Sequence, residues 1–181
     1  EGEVLQLMQI QNPDMTESDY FRIVECKTGV LITAACRLGA VISKAPLSQE
    51  DALAAYGRKL GLAFQVTDDT LDYAADQRQL GKVLGKDLAE GKVTLPLIYL
   101  MRAADSGEQA AIRSILSADA ITDEDLSYTL KLMEKYDVVE EALRYAQSLA
   151  DGAKATLAVF PESPPRQALM GLADYVVQRE M

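Results

Sequence analysis

Apolar residues recur along this chain at intervals of three and four, and no run alternates with period two. That spacing predicts helices throughout and no sheet. Thr16 followed by Asp19 has the form of a capping box and predicts a helix over 16–43, ended by Pro46. Ser48 with Asp51 repeats the form and predicts a helix running through Asp76. Residues 77–92 place Gly81, Gly85 and Gly91 between charged and apolar positions, which predicts a structured loop. A helix resumes near Val93 and runs to about Ala104, with Pro96 tolerated in its first turn. Further helices are expected at 107–117, 123–135, 138–159 and 165–180, with Thr122 and Asp125 as another cap and a proline-rich turn at 161–165. The opening residues 1–11 read as the middle of a helix. No repeat or linker is visible, so one all-α domain over 1–181 is expected.

Composition narrows what such a domain does. The chain has 181 residues, 49% of them hydrophobic, and a net charge of −10. That is enough apolar material for a core. The acidic balance argues against nucleic acid and against an anionic membrane surface as partners. It leaves room for a small anion, because a metal ion can mediate between carboxylates and phosphates. Histidine is absent, which removes His-based zinc sites and Ser-His-Asp or Cys-His catalysis within this chain. Cys26 and Cys36 fall in one predicted helix, roughly 15 Å apart at about 1.5 Å per residue. A disulfide needs Cα atoms within about 7 Å, so a reduced, cytoplasmic protein is expected. No run approaches the ~18 apolar residues of a membrane span, and stable membrane insertion is not expected.

The chemistry concentrates in "GLAFQVTDDTLDYAAD" at 61–76. At about 100° per residue, Asp68 and Asp72 lie about 40° apart on a helix, with Asp69 about 100° from Asp68. Gln65 lies one turn earlier, and Gly61 near the same line suggests a groove. Phe64 and Leu71 are expected to point into the core. Three like charges within a turn repel, and a hard divalent cation relieves them. Mg2+ prefers oxygen ligands, keeps several waters and bridges carboxylates to phosphates. The alternative is a solvated acidic face. Against it, the cluster interrupts an apolar stretch, and adjacent Asp residues are poor helix formers.

An anionic ligand also needs cations. Lys82, Lys86 and Lys92 lie in the glycine-rich loop, and Lys27 and Thr28 stand mid-helix in the apolar "VECKTGVLITAAC". Lys27 either reaches into a cleft or snorkels at the core edge. Thr28 has the alternative of bonding back to the carbonyl one turn earlier. Gly29 beside them admits another backbone or a ligand.

Lys27-Thr28-Gly29, "FQVTDDTLDY" at 64–73 and "GKVLGKDLAEGKVTLPLIYL" at 81–100 together resemble the trans-isoprenyl diphosphate synthases, the polyprenyl synthetase family. Order and spacing match over most of residues 1–101; residues 102–181 carry no recognised motif. The resemblance implies an all-α, mostly antiparallel bundle of the isoprenoid synthase type around a deep cavity. It implies condensation of isopentenyl diphosphate with an allylic prenyl diphosphate, with Mg2+ as cofactor. By the same resemblance, Asp68, Asp69 and Asp72 correspond to the second aspartate-rich metal motif. Lys27 and Thr28 correspond to contacts of the allylic diphosphate, Gln65 to an amide near the reacting chain, and Lys82 and Lys92 to lysines that neutralise diphosphate. Lys27, Asp68 and Lys82 are the residues expected to carry catalysis. The Glu3-x-x-Gln6 pattern and the Thr94-Leu95-Pro96 ending lean toward bacterial long-chain synthases of the octaprenyl or decaprenyl type.

One departure matters. The family has an earlier aspartate-rich motif, and this chain has no such candidate before residue 60. The chain is therefore expected to be the C-terminal part of a longer, homodimeric enzyme, incomplete at the N-terminus of the bundle and inactive alone, with part of its cavity wall exposed. Two other readings compete. One is a non-catalytic partner subunit of a heteromeric synthase, which would have no need of an intact aspartate motif with its lysines. The other is a helical protein whose acidic face is only solvated.

Overall fold

The structure is a computed structural model, which describes residues 1–74, 84–118 and 120–178. Every regular element among them is helical. The helices are α1 (Gly2–Met8), α2 (Glu17–Val24), a π turn at Glu25–Gly29, α3 (Val30–Ile42) and α4 (Leu47–Leu71). They continue with α5 (Lys86–Ala89), α6 (Leu95–Ala103), α7 (Ser106–Leu116), α8 (Asp123–Lys135), α9 (Val138–Thr156), a 3-10 turn at Leu157–Val159 and α10 (Pro164–Gln178). None is long and apolar enough to cross a membrane. Cys26 and Cys36 are both free thiols.

The predicted caps at Thr16 and Thr122 form. Asp19 N donates to Thr16 Oγ1 at 3.1 Å and Thr16 N to Asp19 Oδ2 at 3.2 Å. Thr122 and Asp125 make the same reciprocal pair. A third box, Asp105 with Glu108, starts α7 and was not foreseen. Three boundaries differ from the periodicity. The helix expected over 16–43 is interrupted at 25–29, where Val30 N bonds to Glu25 O, five residues back, and the turn widens. Helix α4 begins at Leu47, with Glu50 N on Pro46 O at 3.1 Å, so Ser48 lies inside its first turn rather than capping it. It ends at Leu71 rather than Asp76: Tyr73 N turns back to Thr70 O and Ala74 N to Leu71 O, each three residues earlier. The tighter bonding closes the helix, and Asp72 lies in the closing turn.

The chain divides into two compact units, residues 1–2, 24–67 and 144–181 in the first and 3–23 and 68–143 in the second. In the first, α4 lies very close to the π turn and α3. A Cβ on Gly57 would sit 2.7 Å from Ile32 O, and one on Gly61 would sit 2.9 Å from Gly29 Cα. The groove expected beside Gly61 is thus filled by backbone. On the π turn's other contact, a Cβ on Gly2 would come within 2.4 Å of Lys27 N. Small residues continue the tight packing in α9, where Ala146, Ala150 and Ala153 are fully buried ahead of Leu157. The Tyr56 hydroxyl donates to Leu169 O at 2.7 Å, joining α4 to α10. Helix α3 is less covered: Leu31 is 69% exposed, Leu38 55% and Ile42 72%.

In the second unit, Leu95, Leu97 and Leu100 of α6 are fully buried, as are Ile112, Leu116 and Leu88. Gly85 and Gly91 frame α5 with φ of +70° and +73°, where a side chain is strained. A Cβ at Gly85 would also meet Leu126 Cδ1 at 2.2 Å. Gly91 O accepts from Gln11 N at 2.8 Å. Arg102 pairs with Glu141 and stacks on Tyr99 with its guanidinium carbon 4.5 Å from the ring centre.

Gly61 and Gly39 therefore respond oppositely to an added methyl. Gly61→Ala is expected to cost about 1–3 kcal/mol, since backbone must shift to admit the Cβ. Gly39, inside α3 with nothing within 4 Å of its Cβ position, gains about 0.5–1 kcal/mol as alanine. Urea unfolding of the two variants checks both signs.

Candidate functional site

The three aspartates occupy three different environments. Asp68 is exposed on the last turn of α4. Asp69, at 9% exposure, turns inward, and the buried Tyr20 hydroxyl of α2 donates to its Oδ2 at 2.7 Å. Burial and the adjacent Asp69 charge push the Tyr20 phenol well above its ordinary range, so it remains a donor. Asp72, half-buried in the closing turn, accepts Asp87 N on its Oδ2 at 2.8 Å, and its own carbonyl accepts Gly85 N at 2.8 Å. Burial raises its carboxyl above the usual carboxylate range, with the Asp87 N–H pulling the other way. Of the flanking apolar residues, Leu71 is buried as expected, while Phe64 is only half-buried.

The loop that carries α5 brings a cation to this end of α4. Lys92 Nζ lies 2.9 Å from Asp87 Oδ1 and 2.7 Å from Glu90 Oε2. Burial alone would lower the Lys92 ammonium, but its bonds to Glu90 and Asp87 outweigh that and raise it. The structure thus forms a chain from Asp72 through the Asp87 backbone and carboxylate to Lys92. Asp87 was not singled out by its sequence. Its signal was the pair of glycines, Gly85 and Gly91, that lay its N–H on one partner and its carboxylate on another. Lys86, the lysine between, pairs with Glu90 at 3.7 Å. Lys82 lies outside the described residues.

A second cluster belongs to the first unit. Lys27 and Thr28 stand on the π turn, both half-buried. The Thr28 hydroxyl donates to Gln65 Oε1 on α4 at 2.9 Å, rather than back to the preceding turn. The back-bond is made instead by Thr33, whose hydroxyl reaches Gly29 O at 2.7 Å. Gly29 and Gly61 permit the approach that brings Thr28 to Gln65. The Arg58 guanidinium grips Glu25, the first residue of the turn, with Nη2 to Oε2 at 2.8 Å, and holds that carboxyl below its usual range. π turns are frequent at functional positions, and this one holds both residues of the Lys-Thr pair. Glu3 and Gln6 lie on α1, the first exposed and the second half-buried.

The carboxylate end of α4 suits a divalent cation. Aspartates repel one another and, at a helix C-terminus, also face the negative end of the helix dipole, which favours a cation there by about 0.3–1 kcal/mol. All the donors are oxygens, the set that Mg2+ prefers. Among the described residues no three such side chains close around a single point as a protein cage. Mg2+ bound to one or two carboxylates, with water and ligand phosphate completing its shell, requires none. Asp68 and Asp72 present the accessible carboxylates for it, and Asp69 adds charge from behind.

Asp72→Asn separates stability from binding. The amide oxygen still accepts from Asp87 N, while the cost of desolvating a charge disappears. Without metal, the melting temperature is expected to hold or rise by about 1–2 °C. Sign follows from the raised carboxyl: the folded state prefers Asp72 protonated, so the parent loses stability relative to the variant as pH rises through the ordinary Asp range. Melting curves of both proteins between pH 3 and 7 check this.

Comparison with known proteins places these features in a family. The profile of the polyprenyl synthetase family matches residues 1–133. The chain is 42% identical over 180 residues to octaprenyl diphosphate synthase of Escherichia coli K12, covering 99% of this chain and 55% of that protein. It superposes with a TM-score of 0.92 and 41% identity on a crystal structure of decaprenyl diphosphate synthase from Rhodobacter capsulatus, again over 99% of this chain and 55% of that one. A polyprenyl synthase from Caulobacter crescentus, crystallised with calcium and isoprenyl diphosphate, aligns with a TM-score of 0.91 and 37% identity over 99% of this chain and 55% of that one. The chain spans about half the length of these relatives and shares their all-α fold over that half. It belongs to the polyprenyl synthetase family.

Proposed function

We propose that this chain supplies the diphosphate-activating end of a trans-prenyltransferase that condenses isopentenyl diphosphate with an allylic diphosphate. The observation that carries the reading is the construction at the end of α4. Accessible carboxylates of Asp68 and Asp72 stand at a helix C-terminus, and a glycine-framed loop brings Lys92 to the same end through Asp87. The named relatives make or bind isoprenyl diphosphates, which supports the same assignment.

In this reading Asp68 and Asp72 of the aspartate motif would hold Mg2+, with Asp69 behind them, and the ion would supply electrostatic stabilisation of the charge growing on the diphosphate. Lys92 offsets the anion as the allylic C–O bond ionises, and the motif resemblance gives Lys27 and Lys82 diphosphate contacts. For Lys92 this means exchanging the exposed Glu90 carboxylate for a diphosphate oxygen while Asp87 keeps its grip. Thr28 fixes the Gln65 amide by occupying Oε1. The uncovered apolar side of α3 suits a wall against the growing prenyl chain, where water would otherwise quench the allylic cation. The final proton goes to the released diphosphate, so no strong protein base is required, in keeping with a chain that contains no histidine. We place the whole protein in the cytoplasm as a homodimer making long-chain polyprenyl diphosphates.

Calorimetric titration of Mg2+ with inorganic diphosphate tests the site. The parent should bind the two in a coupled manner, and Asp68→Ala should weaken the coupled binding at least about tenfold, about 1.4 kcal/mol. Absence of coupled binding in the parent would sink the reading. The sequence holds one aspartate-rich motif, half of what the family uses, so this chain alone should show little or no condensation. Turnover of isopentenyl and allylic diphosphates by the purified chain, followed by product extraction, would overturn that expectation.

A further inference from the structure

Asp69 is the least exposed of the three aspartates, and the group that holds it has no part in the chemistry above. Tyr20 is itself 3% exposed, and its hydroxyl donates to Asp69 Oδ2 at 2.7 Å. We propose that Tyr20 is a positioning residue for the acidic cluster: its hydroxyl holds the Asp69 carboxylate inward, so that Asp68 and Asp72 present the carboxylates that take up Mg2+ and diphosphate. The proposal rests on the magnesium–diphosphate reading of the cluster.

The placement of Tyr20 is well determined. Its backbone N–H bonds to Thr16 O at 3.0 Å, inside the turn that the Thr16–Asp19 box fixes. Its ring meets Phe21 edge-on, with centroids 5.2 Å apart. A buried phenol and a buried carboxylate each require a hydrogen-bond partner, and here the phenol finds its own in the carboxylate. The chemical type of the partner is informative. A lysine or arginine at this place would also satisfy Asp69, but it would cancel a charge that the cation needs and repel the cation directly. A phenol orients the carboxylate without itself bringing a positive charge into the cluster. Without the Tyr20 hydroxyl, Asp69 Oδ2 loses the bond that draws it toward α2, and the orientation of its charge relative to Asp68 and Asp72 is less fixed.

The test titrates Mg2+ into the full chain in the presence of inorganic diphosphate, for the parent, Tyr20→Phe, Tyr56→Phe, Asp68→Asn and Asp69→Asn. Tyr56→Phe is the control for general loosening, because it removes a hydroxyl of a fully buried tyrosine that also bonds at 2.7 Å, to Leu169 O in the first unit. Tyr20→Phe should weaken Mg2+ about tenfold, as expected for losing a hydrogen bond to a charged group. Tyr56→Phe should stay within about twofold of the parent, whatever both changes do to the melting temperature. Asp69→Asn keeps an acceptor for Tyr20 and should weaken Mg2+ less than Asp68→Asn does; this order decides the matter if Tyr20→Phe does not fold. The positioning role is overturned if Tyr20→Phe binds like the parent, if Tyr56→Phe loses as much, or if Asp69→Asn is the more damaging of the two amides. A parent that binds no Mg2+ with diphosphate brings down the site reading as well, whereas an unaffected Tyr20→Phe brings down only the role of Tyr20.

Discussion

Like charge gathered at the wrong end of a helix is the constraint around which the site is built. Asp68, Asp69 and Asp72 repel one another, and each also opposes the dipole of α4. The fold gives them three different environments. One stays in water, one is drawn inward by a phenol, and one is held by backbone N–H from the following turn. Lys92, the ammonium that the loop brings to this end of α4, bonds to Asp87 and Glu90.

Within the first unit, α4 is stiffened by close backbone contact. Gly57 and Gly61, one turn apart, bring α4 against α3 and the π turn at distances no side chain would allow. Gly2 meets the same turn from α1. The widened turn between these contacts carries Lys27 and Thr28, and the Thr28–Gln65 bond crosses the narrow gap. Gly61, which looked like room for a ligand, is used as room for the backbone at Gly29.

Much of this was legible along the chain, for identifiable reasons. The boxes at Thr16 and Thr122 are local, involving residues three apart, and they form as read. Pro96 sits in the first turn of α6, where its missing N–H costs nothing. The divergence of Asp69 from Asp68 follows from helix geometry alone. Less legible was the end of α4, which hydrophobic spacing carries on to Asp76. The helix ends at Leu71, where Gly85 N and Asp87 N take up the carbonyl and carboxylate of Asp72, from residues more than ten positions away. The π turn was also hidden, since one extra residue in a turn barely disturbs a pattern of apolar positions.

By itself the sequence determined the helical class, the caps at Thr16 and Thr122 and the order of the motifs, because each depends on residue identity at short spacing. Tertiary structure decided the rest. Asp69 faces Tyr20 across 49 positions of chain, Thr28 faces Gln65 across 37, and Asp72 is held from Asp87 across 15. Which aspartate turns inward, which hydroxyl finds an amide, and which glycine is filled by backbone all depend on what the folded chain brings alongside. No periodicity along one helix contains that information, because the partner lies on another.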